Sequence, residues 1–548
     1  MIMTNIQLLI LITLILFGVK ILKDTMYLLW LIQVKEYRID RIKAHWRDNS
    51  IVNLSDLFVA FGVFILLCLL FPATARTIVV FFGLLLGAIA PLIFLYSTLQ
   101  FVFGIKKRAI KRPEPTKKII LVSVLYFLLF AIFAYELTVW MMRSIDIIYT
   151  IDFFITLAFY LLMLVIMVPL FLFAAVMLVT PVADYKKRKI KERARLKMAG
   201  MKKVKTIGIA GSYGKTSTKE FLSAILSEKY KVAKTKGNNN SDIGVANTIL
   251  RDVNDDLDYF ICEMGAYKIG EIKETAGIAR PFAGIITGLN EQHLDLFGSL
   301  ENTKRAKYEL MDSLPVEGFA VVNRQADEME PRIPYKAKDV LFFSEDMAEN
   351  IKVHPESLEF TYKGILFKAN MLGRHYVANL ISAIMVAEKL GMTLEEIRAA
   401  VPKIDMSSKY LLQKKEGVKG AVFIDDSYSA NPDGVIAALD YLEEAYPEKK
   451  KMLVFPGIIE LGRDSRDIHR RIWKKTNDIC HSAFIIQKED EDIRKEYQKC
   501  SFVFEKDFDK IKEEIEKRID KDSVVLFESR ASGVVMKKLL EDNLTKDV

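Results

Sequence analysis

Residues Lys205–Thr218 read KTIGIAGSYGKTST, and this stretch decides the fold. Its opening, Lys205–Ala210, is an apolar run of strand length. Gly211-Ser212-Tyr213-Gly214-Lys215-Thr216-Ser217-Thr218 follows directly, and beyond it Phe221, Ala224, Ile225 and Leu226 recur at helical spacing. Strand, glycine loop and helix, in that order, are the context of a phosphate-binding P-loop. The glycines let successive backbone N–H groups turn toward a phosphate at the positive end of the helix dipole. In that reading Gly211, Ser212, Gly214 and Ser217 shape the cradle. Lys215 reaches the β- and γ-phosphates, and Thr216 offers its hydroxyl to Mg2+. The spacing departs from GxxxxGK[ST], because Ile209 stands five residues before Gly214. Taken alone, GxxGKT is either a nucleotide loop or glycine punctuation after a strand.

Toward the C-terminus, residues 200–402 alternate short apolar runs with helical patterns, as expected of a central ATPase-type α/β domain with a mostly parallel sheet. The alternation resumes in residues 403–548, where Ala421–Ile424, Met452–Phe455, Ala483–Ile486 and Val524–Phe527 read as strands of a smaller Rossmann-like domain. No Gly/Ser-rich linker separates the two, and Pro402–Ser408 is the hinge candidate. A nucleotide is expected in the cleft between them.

Toward the N-terminus the composition changes. The chain of 548 residues is 27% charged, yet its mean hydropathy is +0.18. Nearly all its long apolar runs precede residue 183. A bilayer span takes about 20 mostly apolar residues, and five segments are read as transmembrane helices: Ile6–Leu22, Val52–Phe71, Thr77–Phe103, Ile119–Trp140 and Ile151–Val182. Basic residues crowd Val34–Ser50, Gly104–Lys118 and the stretch from Lys186 to Lys197, whereas the other two connections offer only Arg76 and Arg143. The positive-inside rule then puts the N-terminus outside the cell membrane and everything after residue 183 in the cytoplasm. The same loops account for the net charge of +9 without a nucleic-acid partner. Cys68, Cys262, Cys480 and Cys500 lack metal-binding spacing and read as reduced thiols. The division is therefore a membrane region at 1–183, a basic linker at 184–203, a central ATP-binding domain at 204–402 and a C-terminal domain at 403–548.

Further blocks follow the loop in a fixed order. They are Gly237-Asn238-Asn239-Asn240-Ser241-Asp242-Ile243-Gly244, Glu263-Met264-Gly265-Ala266 with Gly270-Glu271-Ile272, and His293-Leu294-Asp295-Leu296-Phe297-Gly298-Ser299 running on to Arg305-Ala306-Lys307. Then come Gly373-Arg374-His375-Tyr376-Val377-Ala378-Asn379, Asp425-Asp426-Ser427-Tyr428-Ser429-Ala430-Asn431-Pro432 and Gly457-Ile458-Ile459-Glu460-Leu461-Gly462. In this order, and with the shortened loop, the sequence resembles the Mur ligases, ATP-dependent amide ligases of peptidoglycan assembly, over about residues 204–540. The DDSY and EMGA forms resemble the branch that adds D-alanyl-D-alanine.

The resemblance implies ATP, two Mg2+ ions and an acyl-phosphate reaction joining a small-molecule amine to a carboxylate acceptor. It implies catalytic roles for Lys215, His293 and Lys307. Thr216, Glu263, His293 and Lys307 would serve the metals, Lys307 after carbamylation. Asn379 is implied at the adenine, and Asp426 with Asn431 at the ribose and nucleotide. Asn238, Asn240, Ser529 and Arg530 are implied on the substrates. His469 stands where the family has a histidine, and a helix-surface histidine fits the pattern equally.

Five positions depart from the family's pattern: Tyr376 and Ser429 replace asparagines, Lys409 stands for an arginine, and the usual KGSR reads Phe527-Glu528-Ser529-Arg530. No soluble UDP-gripping segment precedes the loop; the apolar runs occupy its place. The acceptor is therefore expected at the membrane, lipid-linked or held by a membrane partner, among membrane lipids. A ligase for another polymer such as poly-γ-glutamate, and an ATP-binding membrane scaffold, are the competing readings.

Overall fold

The computed structural model describes residues 2–34, 37, 92, 94–103, 112–143, 150–237, 239–292, 294–407, 411–428, 430–458, 465–486 and 491–544. They fall into two compact units, Met1–Lys187 and Arg188–Val548.

The first unit is helical. It holds α1 (Ile2–Val34), a short apolar helix at Phe94–Phe103, α2 (Lys117–Arg143) and most of α3 (Thr150–Gly200). Among the described residues, two helical stretches are long and apolar enough to cross a bilayer, Lys117–Val139 and Met163–Gly200, against the five expected. Val52–Phe71 lies outside the described residues, and Thr77–Phe103 is described only near its end. In α1 the apolar run gives way to Lys20, Lys23 and Asp24, where Lys20 pairs with Asp24 at 2.6 Å and Lys23 donates to Gln100 at 2.6 Å. On α2, Ile120, Leu121, Val124, Phe127, Leu128 and Ile132 are each more than half exposed. The expected linker at 184–203 is helical as far as Gly200, as the last turns of α3.

The second unit begins on those turns. Ala194 and Met198 are buried against α5 (Asp242–Asp252) and α6 (Glu271–Ala279). Lys191 pairs with Asp242 at 2.9 Å and with Glu274, and Lys197 donates to the carbonyls of Ile249 and Leu250 at the end of α5. A lysine there meets carbonyls that the helix leaves without partners.

The first sheet runs β2-β3-β1-β4-β5-β6, all parallel, from β1 (Lys205–Ala210), β2 (Val232–Lys234), β3 (Tyr259–Glu263), β4 (Pro281–Ile286), β5 (Phe319–Asn323) and β6 (Asp339–Phe343). Along β1, Ile207 and Ile209 bury toward α4 (Lys215–Ser227) and α8 (Tyr376–Lys389). Gly208 faces α7 (Leu300–Asp312), where a Cβ would lie 2.6 Å from Leu310. The absent side chain lets helix and sheet approach closely. A small antiparallel sheet, β7 (Glu349–Val353), β8 (Leu358–Tyr362) and β9 (Ile365–Ala369), was not foreseen in the strand–helix alternation.

The last sheet runs β10-β11-β15-β12-β13-β14, parallel apart from its β10 edge. Its strands are β10 (Gln413–Glu416), β11 (Val422–Asp426), β12 (Lys450–Phe455), β13 (Ser482–Ile485), β14 (Ser501–Phe504) and β15 (Ser523–Glu528). Helices α9 (Pro432–Ala445), α10 (Ser465–Ile479), α11 (Phe508–Arg518) and α12 (Ser529–Leu544) accompany it. Both larger sheets thus present the carboxyl ends of parallel strands, where α/β folds bind ligands.

Candidate active site

Between β1 and α4 the loop turns on Gly211 and Gly214. A Cβ on Gly211 would lie 2.0 Å from the Thr287 hydroxyl. Gly214 has φ 79°, and a Cβ there would lie 2.5 Å from Asn379 Oδ1. Only glycine fits both constraints. Asn379 therefore sits directly over the loop from α8, and Ser212 N–H donates to the Gly288 carbonyl at 2.8 Å. Lys215 Nζ donates to the carbonyls of Gly211 and Ser212, both at 2.7 Å. Its burial lowers the ammonium's pKa, opposed by Glu263. Ser217 lies in the first turn of α4.

Glu263 closes β3 and is 1% exposed. Its carboxylate accepts from Thr216 Oγ1 at 3.0 and 3.1 Å, from Asn240 Nδ2 at 3.0 Å and from Lys219 Nζ at 3.0 Å. A hydroxyl and a carboxylate together are the hard-oxygen donors that Mg2+ takes. The cradle and this donor pair fit a nucleotide with its metal.

Lys307, on α7, is 4% exposed and donates to the Ala266 carbonyl at 3.0 Å. Burial, then the neighbouring charge of Lys215, push its ammonium down to about 7, with Glu271 and Glu309 opposing. Such an amine is partly unprotonated near neutral pH, and the unprotonated form is the one that reacts with CO2. Glu309, on the same helix, accepts instead from the backbone of Gly270 and Lys273. His293 and Asn238 lie outside the described residues.

The last domain approaches this end of the first sheet. Asn290 Nδ2 donates to Asn431 Oδ1 at 2.9 Å and to Asp433 at 3.0 Å. Asn431 also caps α9 through Gly434 N–H, and Pro432 supplies the first helical residue. Tyr376 packs edge-on against Phe221, and its hydroxyl accepts from Leu412 N–H at 3.0 Å. The tyrosine that replaces a family asparagine thus latches α8 to the start of the last domain.

Asp426 ends β11 opposite Glu528, which ends β15. Glu528 is fully buried, and among the described residues no N–H or hydroxyl donates to it; the Asp426 carboxyl is what faces it. Burial and the Asp426 charge push it well above the carboxylate range. Burial, with the Asp425 charge, pushes Asp426 up to about 7. Two enclosed carboxyls side by side hold a proton between them. Asp425 goes the other way: despite its burial, Lys415 and Ser427 hold it below the usual range. Ser529 follows Glu528 with φ 73°, and Arg530 donates to the Tyr428 carbonyl and lies 5.5 Å from its ring. His469 is half-buried on its helix. Its Nε2 accepts from Ile458 N–H at 2.9 Å, its Nδ1 faces the Ser465 carbonyl at 2.7 Å, and its ring stacks on Trp473. It fixes the loop after β12.

Sequence reasoning missed Lys219, Asn290 and the Asp426–Glu528 pairing. Only Lys219 carried a signal, its i+4 spacing from Lys215.

Fold and site define a two-domain α/β protein with a short P-loop facing a Rossmann-like domain. Residues 209–387 match the Mur ligase middle domain, and residues 412–530 match the Mur ligase, glutamate ligase domain. The UDP-N-acetylmuramoyl-tripeptide–D-alanyl-D-alanine ligase of Borreliella burgdorferi is 31% identical over 324 residues, covering 56% of this chain and 68% of that one. Its Escherichia coli counterpart is 32% identical over 279 residues, covering 49% and 61%. MurF from Acinetobacter baumannii superposes with a TM-score of 0.58 at 25% identity, covering 65% of this chain and 80% of that chain. MurF from Thermotoga maritima, solved in complex with ADP, gives 0.58 at 24% identity, covering 66% and 85%. The chain belongs to the Mur ligase family. It spans about three fifths of the length of the Escherichia coli and Bacillus subtilis relatives, 61% and 59%.

Proposed function

We propose that the protein is an ATP-dependent amide ligase that extends a cell-wall peptide precursor. The convergence of Lys215, Thr216, Glu263 and Lys307 at one end of the first sheet supports this reading most strongly. Bound ATP with Mg2+ supplies the phosphoryl group and the metal charge. Thr216 and Glu263 would hold one metal, and His293 with a carbamylated Lys307 a second. The carbamate forms when the neutral Lys307 nitrogen attacks CO2 and loses a proton.

The loop amides and the Lys215 ammonium, released from its carbonyl partners, stabilise charge on the transferring phosphoryl group. The acceptor carboxylate oxygen takes the γ-phosphoryl and ADP leaves. The amine nitrogen then attacks the acyl carbon, a proton is lost, and phosphate departs. Each amide thus yields one ADP and one phosphate. Asn379 would lie at the adenine, and Asp426 and Asn431 on the nucleotide from the last domain. Asn238, Asn240, Ser529 and Arg530 would meet the substrates.

The relatives are named for adding D-alanyl-D-alanine. Here Phe527 and Glu528 stand where the family has lysine and glycine beside Ser529, so the incoming amine is taken as an amino acid or a D-alanyl-D-alanine-like dipeptide. A ligase for another polymer, such as poly-γ-glutamate, is the second reading on the same observation. We place the chemistry at the cytoplasmic membrane face, with the acceptor lipid-linked or held by a membrane partner. The two apolar helices, the outward apolar side chains of α2 and the basic loops support that location.

The test is ADP formation by the detergent-purified full chain across a panel of acceptors and amines, with products identified by mass spectrometry. Turnover that needs both substrates is expected. Turnover indifferent to either one overturns the ligase reading. Full activity on a soluble UDP-linked peptide after deletion of residues 1–200 overturns membrane delivery.

A further inference from the structure

Lys219 stands one turn beyond Lys215 on α4 and is fully buried. A lysine without water needs close oxygen partners to stay charged. This one has three: Glu263 Oε2 at 3.0 Å, the Gly237 carbonyl at 2.5 Å and Glu220 Oε1 at 3.4 Å. Glu220 is itself paired with Lys234. The arrangement closes a ring. Lys219 joins Glu263 to Gly237, where the asparagine-rich loop begins, and Asn240 from that loop returns to the other oxygen of Glu263. The ring is tightly fitted. Gly265 N–H donates to the Asn240 carbonyl at 2.8 Å, and a Cβ on Gly265 would lie 2.7 Å from Asn240 Oδ1. Thr216 bonds the same carboxylate from the P-loop side.

Resting on the reading of Glu263 as a metal position, we propose that Lys219 is a positioning residue that couples divalent-cation binding at Glu263 to the order of the asparagine-rich loop. Its ammonium is the resident counter-charge of Glu263. A cation arriving there competes with Lys219 for the carboxylate and, by shifting it, changes the hold on Gly237. Metal binding and the arrangement of the acceptor-side loop therefore move together. The competition also keeps the metal exchangeable between turnovers.

The experiment uses the full chain in detergent, without nucleotide, and Mn2+ as the probe. Free Mn2+ is read by electron paramagnetic resonance. Hydrogen exchange is read at the amides of Asn239 and Gly265, which donate to the carbonyls of Lys236 and Asn240. In Lys219→Met the lost positive charge should tighten Mn2+ binding about tenfold, and both amides should exchange about tenfold faster as the ring opens. Lys219→Arg, which keeps the charge, should stay nearer wild type in both. Unchanged Mn2+ affinity in Lys219→Met, or a change in one readout without the other, overturns the coupling. If Lys219→Met does not fold, wild type alone decides. Saturating Mn2+ must alter exchange at Asn239 and Gly265, and no change overturns the proposal. Neither readout needs ligation. A chain that couples Mn2+ to the loop but never ligates contradicts the proposed function alone, whereas wild type that binds no Mn2+ removes the metal position at Glu263.

Discussion

Two buried glutamates end parallel strands in the two α/β domains, and their surroundings are opposite. Glu263, at the end of β3, meets donors from Thr216, Asn240 and Lys219. Glu528, at the end of β15, meets no N–H or hydroxyl donor among the described residues and faces the Asp426 carboxyl. The first carboxylate is held in place by its partners, as a metal position requires. The second can be buried only by keeping a proton, so its domain changes charge with pH. The difference follows the sequence. Glu263 stands in the block that resembles the family's EMGA, whereas Glu528 stands where the family has a glycine.

Removing Glu263 should have the largest effect. Glu263→Ala leaves the enclosed Lys219 ammonium with only the Gly237 carbonyl and the more distant Glu220, which costs about 3 kcal/mol of stability. It also removes the proposed metal position, and ADP formation should fall about 1,000-fold or more. Chemical denaturation and steady-state kinetics check both. A variant as stable as wild type would mean that the first site does not depend on its ion pair.

The second site should respond to pH. A carboxyl whose pKa is raised on folding contributes stability that is complete below its unfolded value, about 4, and is lost as pH rises. For Asp426 the loss runs up to about 7, and Glu528 extends it. Wild type should therefore lose about 2 kcal/mol between pH 5 and pH 8 that Glu528→Gln does not lose. Thermal melts of both proteins across that range check it, and parallel profiles would break the contrast between the two glutamates.

Smaller effects sharpen it. Tyr376→Phe strips Leu412 N–H of its acceptor between the domains and should cost about 1 kcal/mol. Ser529→Gly relieves a left-handed backbone immediately after Glu528 and should add about 0.5 kcal/mol. Urea titrations resolve both.

The first site was largely legible. An apolar run, two glycines and a helical pattern lie within one stretch at Lys205–Leu226, and their physics is local. Thr216 and Glu263 were each expected on Mg2+, and the structure brings them within 3.1 Å of one another. Lys219 was overlooked because its partners, Gly237 and Glu263, come from a loop and a strand that only folding brings together. Long-range register hid the Asp426–Glu528 pair: β11 and β15 are neighbours in the sheet with most of the domain between them in sequence. The small sheet β7–β9 was missed although Leu358, Phe360 and Tyr362 alternate inward, because a short alternation gives no tertiary partner. In the first unit, hydropathy alone counted apolar runs, whereas α1 accommodates its Lys20 and Asp24 through a contact that composition does not record.

The central claim is that a carboxylate is activated by phosphorylation at the Lys215–Glu263 site. Its most direct test labels both oxygens of the acceptor carboxylate with 18O and examines the phosphate released during ligation. An acyl phosphate predicts that each amide formed sends one 18O atom into its phosphate. Phosphate released without label, while amide accumulates, would contradict the account.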